Sequence, residues 1–167
     1  ILPNTGYHVL AIYKNMIQVM GENQNNASVQ YYTFTPNNGD NIYVTFTSNS
    51  YVVDATVGNF YVTPYNDNAP GATYTPNHEV VAHGGSHTGV ITMAPHYHLM
   101  YVTVNGMDVT SDVVALNENQ YQLTINNIWE DKDVYVLAGL DSTTITYTVL
   151  AGEGTINNTF VVDGNTT

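Results

Sequence analysis

Apolar and polar residues alternate along most of this chain with the two-residue period of a β-strand. The alternation is clear in residues 42–46, 51–57 and 144–149, where successive side chains would point to opposite faces of a sheet. No stretch combines the 3.6-residue spacing of an amphipathic helix with capping residues at its ends. The pattern therefore predicts an all-β protein.

Two of the predicted strand pairs are hairpins. Residues 99–104 and 107–109 flank Asn105-Gly106, and Asn-Gly favours a type I′ turn because both of its central residues need positive φ. Residues 9–13 and 17–19 would form a similar hairpin around Asn15. Met16 stands there where Gly106 stands in the second hairpin, and a methionine argues against the same tight turn.

The second hairpin follows the first at an interval of 90 residues. Three residue pairs keep this interval: Tyr7 and Tyr97, Asn15 and Asn105, Val19 and Val109. Further strands are predicted in both copies, at 32–35 and 121–124, at 42–46 and 134–138, and at 51–57 and 144–149, the last pair being followed by turns at 58–59 and 152–154. A fixed period predicts tandem small β-domains, and the alternation leaves open a β-sandwich-like or a curled-sheet repeat.

The period divides the chain into three parts. Residues 50–140 would be a complete β-repeat with an inserted loop at 66–71, whereas 1–49 and 141–167 would be the C-terminal and N-terminal parts of a split repeat. A half-repeat alone would expose strand edges. We therefore expect 141–167 of one copy to join 1–49 of the next, head to tail, in a contact that propagates a fibre. A longer covalent array is the alternative.

This split predicts where strands should lack partners within one chain. Residues 145–162 and 9–19 are expected to be unpaired unless they fold back on one another.

Composition narrows the partners. The apolar fraction of 43% supports packed cores, but Lys14 and Lys132 are the only cations and the net charge is −12. Nucleic acid and anionic membrane surfaces are therefore poor partners. The chain contains no run of 18 apolar residues, so membrane insertion is not predicted. It also contains no cysteine, which excludes disulfides and thiol chemistry. Acidic chains rich in Asn, Thr and Tyr are typical of bacterial surface proteins, which predicts an extracellular or cell-surface location.

Histidines and acidic residues are the candidate metal ligands. A transition metal could bind if loops brought together His83, His87, His96 and His98, but no local spacing fixes a third ligand. Calcium could bind Asp108, Asp112, Glu118 or the acidic run 130–133, yet their spacing does not fit an EF-hand. Equivalent positions for His8 and His98 indicate a role in packing or in a turn, and a solvated acidic face explains the carboxylates. We predict no metal site, no cofactor and no catalytic residue.

Aromatic residues and glycosylation motifs remain. Fourteen tyrosines could stack on sugars, although most lie in alternating strands where tyrosine is favoured. Trp129 is predicted to plug the edge of the core. Acceptor sequons begin at Asn26, Asn157 and Asn165, and Asp141-Ser142-Thr143 is similar to an O-glycan acceptor motif.

The order of motifs resembles a known family. A strand, a Gly-rich turn and a strand precede Pro95-His96-Tyr97-His98, which is followed by Val102-Thr103-Val104-Asn105-Gly106, Tyr121-Gln122-Leu123-Thr124-Ile125 and Val134-Tyr135-Val136. This order resembles the divergent internalin-type B-repeats, or Listeria–Bacteroides repeats, of bacterial cell-surface proteins, most strongly over 89–138.

The resemblance implies a non-enzymatic spacer, stalk or adhesive module without catalytic residues. We therefore predict an extracellular structural or adhesive repeat segment that contacts copies of itself and possible surface glycans. The alternative is a carbohydrate-binding module of a secreted enzyme. An exposed row of aromatic residues on one sheet face would favour that alternative.

Overall fold

The computed structural model describes residues 1–22, 31–60 and 70–141. They form twelve strands: β1 (Tyr7–Lys14), β2 (Ile17–Met20), β3 (Ile42–Ser48), β4 (Ser50–Phe60), β5 (Ala72–Thr75), β6 (His78–Ala82), β7 (Gly85–Met93), β8 (Tyr97–Val104), β9 (Met107–Asp108), β10 (Val114–Ala115), β11 (Gln120–Ile128) and β12 (Lys132–Leu140). A single 3-10 turn spans Thr110–Asp112. The predicted all-β class is confirmed. Within the described ranges, no helix has the length and apolarity needed to cross a bilayer.

The strands form three sheets. Their orders are β2-β1-β3, β10-β11-β7-β5 and β6-β4-β12-β8-β9. The chain divides into two compact units, of which unit 1 contains 1–53, 79–87 and 125–132, and unit 2 contains 54–78, 88–124 and 133–167. The predicted boundaries at 49/50 and 140/141 stay a prediction.

Each unit has its own buried residues. Those of unit 1 are His8, Val9, Ala11, Ile12, Asn49, Val53, Val81, His87 and Ile128. Those of unit 2 are Ala72, Tyr74, Ile91, Met93, Val102, Val104, Leu123, Val134, Val136, Leu137 and Ala138. The cores are mostly β-branched or aliphatic, as strands with one buried face require.

The two hairpins share one turn geometry. Asn105 and Gly106 have φ of 50° and 77°, and Asn15 and Met16 have φ of 51° and 67°. Both turns therefore have the positive φ at two successive residues that type I′ requires. The expectation that Met16 would prevent the tight turn was wrong. Met16 is 76% exposed. The positive φ therefore strains the backbone at Met16, but its side chain has no packing conflict.

The strands around these turns also share one register. β1 pairs with β2 and β3, and β8 pairs with β9 and β12, with counterparts 90 residues apart in the hairpins and 92 apart between β3 and β12. Even the irregularity recurs, because the ladder skips Leu10 in β1 and Met100 in β8. The same three-strand arrangement thus occurs twice, although the reading of the whole chain as a tandem array stays a prediction.

One asparagine per hairpin connects the turn to the start of the third strand. The Asn15 amide N–H donates to the Asn41 carbonyl at 2.9 Å, and the Asn41 N–H donates back to Asn15 Oδ1 at 2.8 Å. Asn105 and Asp133 make the same two bonds, each at 2.8 Å. This pair of bonds, here called the asparagine clamp, fixes the register at one end of the ladder.

The opposite end of the ladder is fixed in a similar way. The Asn49 N–H donates to the Gly6 carbonyl at 2.7 Å, and the Asp141 N–H donates to the His96 carbonyl at 2.8 Å. Gly6 and His96 both have positive φ, 83° and 68°. His96 therefore occupies the backbone position that glycine fills in the first arrangement.

Several predicted strands need correction. Residues 32–35 are not a strand, although their counterparts 121–124 lie in β11. β11 is paired on both sides, with β10 and with β7, whereas none of the described strands lies beside 32–35. Instead the Tyr32 and Phe34 rings stack at 5.6 Å, and Lys14 Nζ lies 5.2 Å from the Phe34 ring centroid.

The predicted turn at 58–59 is also wrong, since β4 continues to Phe60. Gly58 serves close approach instead, because a Cβ there would lie 2.0 Å from the Tyr135 hydroxyl oxygen. Strands β5 and β10 were not predicted, being short and set among turn-forming residues. The predicted strand at 144–149 lies outside the described residues.

The expected lack of partners for 9–19 is corrected as well. β1 is paired on both sides, with β2 and with β3, so 9–19 finds its partners within residues 7–48 of the same chain. The matching expectation for 145–162 lies outside the described residues.

The shared turn geometry predicts that Met16→Gly stabilises the protein. Glycine adopts positive φ without the Cβ clash that Met16 bears, so we expect a gain of about 1 kcal/mol in the free energy of unfolding. The gain should appear as a higher urea midpoint with an unchanged m-value.

Gly106→Ala is the matched reverse substitution, since no atom lies within 4 Å of a Cβ at Gly106. It should cost about 1 kcal/mol through φ alone. Equal urea midpoints for wild type and Met16→Gly would show that Met16 does not hold positive φ in solution.

Candidate functional site

Three aromatic rings of unit 1 surround the turn between β6 and β7. The His83 ring lies 6.4 Å from the Trp129 ring, with 26° between their planes, and 5.9 Å from the Tyr51 ring. The Tyr51 hydroxyl and His83 Nδ1 are hydrogen-bonded at 3.2 Å. His83 therefore contacts an aromatic ring on either side.

Local backbone features place these rings. His83 and Gly84 form the β6–β7 turn, and Gly84, with φ of 75°, donates its N–H to the Ile128 carbonyl at 2.8 Å. Trp129 follows Ile128 directly, and Ile128 is fully buried. The buried end of β11 and the glycine turn thus bring Trp129 and His83 together.

Gly6 provides the space that the His83 ring occupies. A Cβ at Gly6 would lie 2.1 Å from His83 Cδ2, far inside van der Waals contact. Any other residue at position 6 would displace the ring. Gly6 therefore serves two needs, a positive φ and a close approach.

Asn49 joins this cluster to the sheet. Its carbonyl accepts the His83 N–H at 2.8 Å, its N–H donates to Gly6, and its side-chain Oδ1 accepts from His8 Nδ1 at 2.8 Å. Asn49 is buried, so these bonds are protected from water. Satisfied buried polar groups of this kind fix one local arrangement.

An open pocket of about 750 Å³ lies beside the three rings. Its described lining consists of Leu2, Pro3, Asn4, Thr5, Gly6, Asn49, Tyr51, His83 and Trp129, and we call it the aromatic pocket. A smaller depression of about 320 Å³ is lined by Leu2, Asn4, Tyr7 and Phe46. Both are built from residues of unit 1.

His8 lies next to this site and has a perturbed pKa. Glu22 Oε1 accepts from His8 Nε2 at 3.0 Å, while Asn49 accepts from Nδ1. The hydrogen bond to Glu22, followed by that to Asn49, raises the pKa of His8 above its ordinary 6.5, against a smaller opposing effect of burial. Two oxygen acceptors favour the imidazolium, which donates from both nitrogens.

The histidines considered for a metal site serve different purposes. His87 is buried and hydrogen-bonded through Nδ1 to Glu79, His98 bonds through Nδ1 to Asp141 at 2.9 Å, and His96 forms a positive-φ turn. No three His, Cys, Asp or Glu residues in the described ranges are arranged to hold a metal ion.

Three of the carboxylates considered for calcium, those of Asp108, Glu130 and Asp131, bind backbone and side-chain groups of the protein. Asp108 accepts from the Thr110 N–H and hydroxyl, which lowers the pKa of Asp108. Asp131 accepts the Val52 N–H at 2.8 Å, and Glu130 pairs with Lys132 at 2.7 Å. Asp40 was not singled out from the sequence. Lys14, the Asn37 N–H and Asn15 lower its pKa to about 2.

The sequence had suggested that Trp129 covers the edge of the core, and this prediction was wrong. Its side chain is 62% exposed and lines the aromatic pocket. The pocket was not predicted, because its residues come from four separated parts of the chain and follow no spacing rule. The sequons at Asn26, Asn157 and Asn165 and residues 142–143 of the O-glycan motif lie outside the described residues.

The His8 pair predicts a pH-dependent contribution to stability. Because the folded pKa is raised, the contribution is complete below the unfolded value of 6.5 and is lost as the pH rises through the folded pKa. Glu22→Gln removes the main cause of the shift. It should therefore lower the His8 pKa in an NMR titration and destabilise the protein more at pH 6 than at pH 8.5.

Glu79→Gln is the matched control, because Glu79 bonds to His87 rather than to His8. It should leave the His8 titration unchanged. An unaltered His8 pKa in Glu22→Gln would contradict the pairing.

Comparison with known proteins gives no assignment: no protein-family model, no curated protein sequence and no solved structure matches the chain.

Proposed function

We propose that this chain is a non-enzymatic, extracellular structural or adhesive repeat segment that associates through a strand edge. One observation carries the proposal: the same three-strand arrangement occurs twice, but among the described strands only one of the two has a further strand at its outer edge. β12 lies between β8 and β4, whereas β3 is the last strand of β2-β1-β3.

The apolar residues of β12 and β3 also differ in how deeply they are buried. Val134, Val136 and Ala138 on β12 are fully buried. Their counterparts on β3 are Ile42 at 37% exposure, the half-buried Val44, and Phe46 at 45% exposure. Three apolar residues on one face of an edge strand are costly to leave in water.

An edge strand of this kind recruits another strand. The sequence of residues 144–149 alternates as 51–57 does, and 51–57 lies in β4, the strand beside β12. The tail of a neighbouring copy would therefore take the place beside β3 that β4 takes beside β12. This contact is heterologous and does not close, so it would extend into a fibre or stalk.

The alternative of a longer covalent array uses the same edge. The preceding repeat would then supply the strand within one polypeptide. The extracellular placement is supported by composition alone, by the net charge of −12 and the abundance of Asn, Thr and Tyr.

The edge predicts that Ile42→Lys prevents self-association. A lysine on an edge strand must be desolvated when another strand is added, which natural edge strands exploit to remain unpaired. In sedimentation velocity, the wild type should show species that grow with concentration, and Ile42→Lys should stay monomeric with an unchanged circular dichroism spectrum.

Met16→Lys is the matched control. Met16 is more exposed than Ile42 but lies in the β1–β2 turn, so the same charge change there should leave association intact. A wild type that is monomeric at all concentrations, or an Ile42→Lys variant that associates as the wild type does, would refute the proposal.

A further inference from the structure

The aromatic pocket has the chemistry of a carbohydrate site. We propose that it binds a neutral oligosaccharide of β-linked pyranose rings whose hydroxyls are mostly equatorial. The site would supply the adhesive part of the proposed function, on which this inference rests, but it does not require self-association.

The indole of Trp129 provides the stacking surface. Such pyranose rings present flat C–H faces, which pack on aromatic rings while the hydroxyls point sideways. Trp129 leaves 62% of its surface exposed, although large aromatic side chains usually bury most of theirs. An exposed indole beside a concave surface indicates a binding site rather than a packing role.

Polar groups around the indole suit sugar hydroxyls. Asn4 and Thr5 belong to the lining and are exposed, and the half-buried Tyr51, also in the lining, bonds through its hydroxyl to His83. Amide and hydroxyl groups both donate and accept. A few such groups around an apolar surface orient a ligand.

Charge favours a neutral ligand. No Lys, Arg, Asp or Glu belongs to the described lining of the pocket. The chain carries 14 acidic residues against two lysines, so its field repels anionic sugars. Uronic acids and sulfated glycans are therefore excluded from the proposed class.

The rings are held in place before any ligand binds. Tyr51 bonds to His83, Gly6 leaves room for the ring, and Asn49 bonds to the His83 backbone. A preformed site loses less entropy on binding. Gly6 is thus a second determinant of binding, through His83.

Trp129 is the only tryptophan of the chain, so emission excited at a wavelength that the fourteen tyrosines absorb poorly reports on this pocket alone. The chain would be titrated with cellotetraose, chitotetraose and, as the anionic comparison, tetragalacturonate, at a concentration where sedimentation shows monomers. We expect a saturable change in emission with at least one neutral tetrasaccharide and none with tetragalacturonate. Failure of self-association would leave this test intact.

Substitutions test whether the sugar binds in the aromatic pocket. Their affinities are measured by titration calorimetry, because Trp129→Ala removes the fluorescent residue. Trp129→Ala should weaken binding at least about tenfold, whereas Tyr31→Ala, which removes an aromatic ring that is 83% exposed elsewhere in unit 1, should not. Gly6→Ala should weaken binding by displacing His83. Gly39→Ala is its control, because Gly39 has φ of 89° but no atom within 4 Å of a Cβ.

Tyr51→Phe removes only the hydroxyl that holds His83. It therefore tests the role of His83 even if Gly6→Ala does not fold. It should weaken binding while the melting temperature stays close to that of the wild type. The inference is overturned if neither neutral tetrasaccharide binds up to about 10 mM, if tetragalacturonate binds equally well, or if Trp129→Ala binds as the wild type does.

Discussion

The asparagine clamp is the interaction on which the rest of the structure depends. Asn15 and Asn105 each form two hydrogen bonds with the backbone of a residue at the start of the third strand, Asn41 and Asp133 respectively. A one-residue slip would turn every side chain of that strand to the opposite face. The clamp therefore decides that Val134, Val136 and Ala138 enter the core and that Ile42, Val44 and Phe46 occupy the corresponding face of β3.

Much of this arrangement could be predicted from the sequence, because it depends on local rules. Alternation located β3 and β12, a run of apolar residues located β1, and Asn105-Gly106 located β8 and its turn. The interval of 90 residues identified counterparts that the register then matched. Met16 shows the limit of propensity, since the clamp and the flanking ladders impose a positive φ that methionine alone disfavours.

The aromatic pocket could not be predicted in this way. Asn49, Tyr51, His83 and Trp129 meet only because non-local strand pairing fixes their separation, and the sequence indicates pairing partners poorly. The strand predicted at 32–35 was wrong for a related reason, because alternation shows that a strand is possible but not that a neighbouring strand exists. Gly6 and Gly58 resemble turn glycines, and only the structure shows that His83 and Tyr135 need the space beside them.

The two copies of the three-strand arrangement differ in their neighbouring strands. β12 is an interior strand with β4 beside it, and β3 is an edge strand among the described residues. An edge strand with unpaired backbone donors and an apolar face can pair in the same way with a strand from another copy or from an adjoining repeat. Unit 1, which contains β3, also carries the exposed indole of the aromatic pocket, so the proposed assembly edge and the proposed sugar site belong to one unit.

Amide hydrogen exchange of β3 and β12, measured residue by residue in dilute and in concentrated solution, tests the central claim most directly. The account predicts that alternate amides of β3 exchange rapidly when the protein is dilute and become protected when it is concentrated, while β12 amides are protected in both. Protection of the β3 amides that is equally strong in dilute solution would contradict the account.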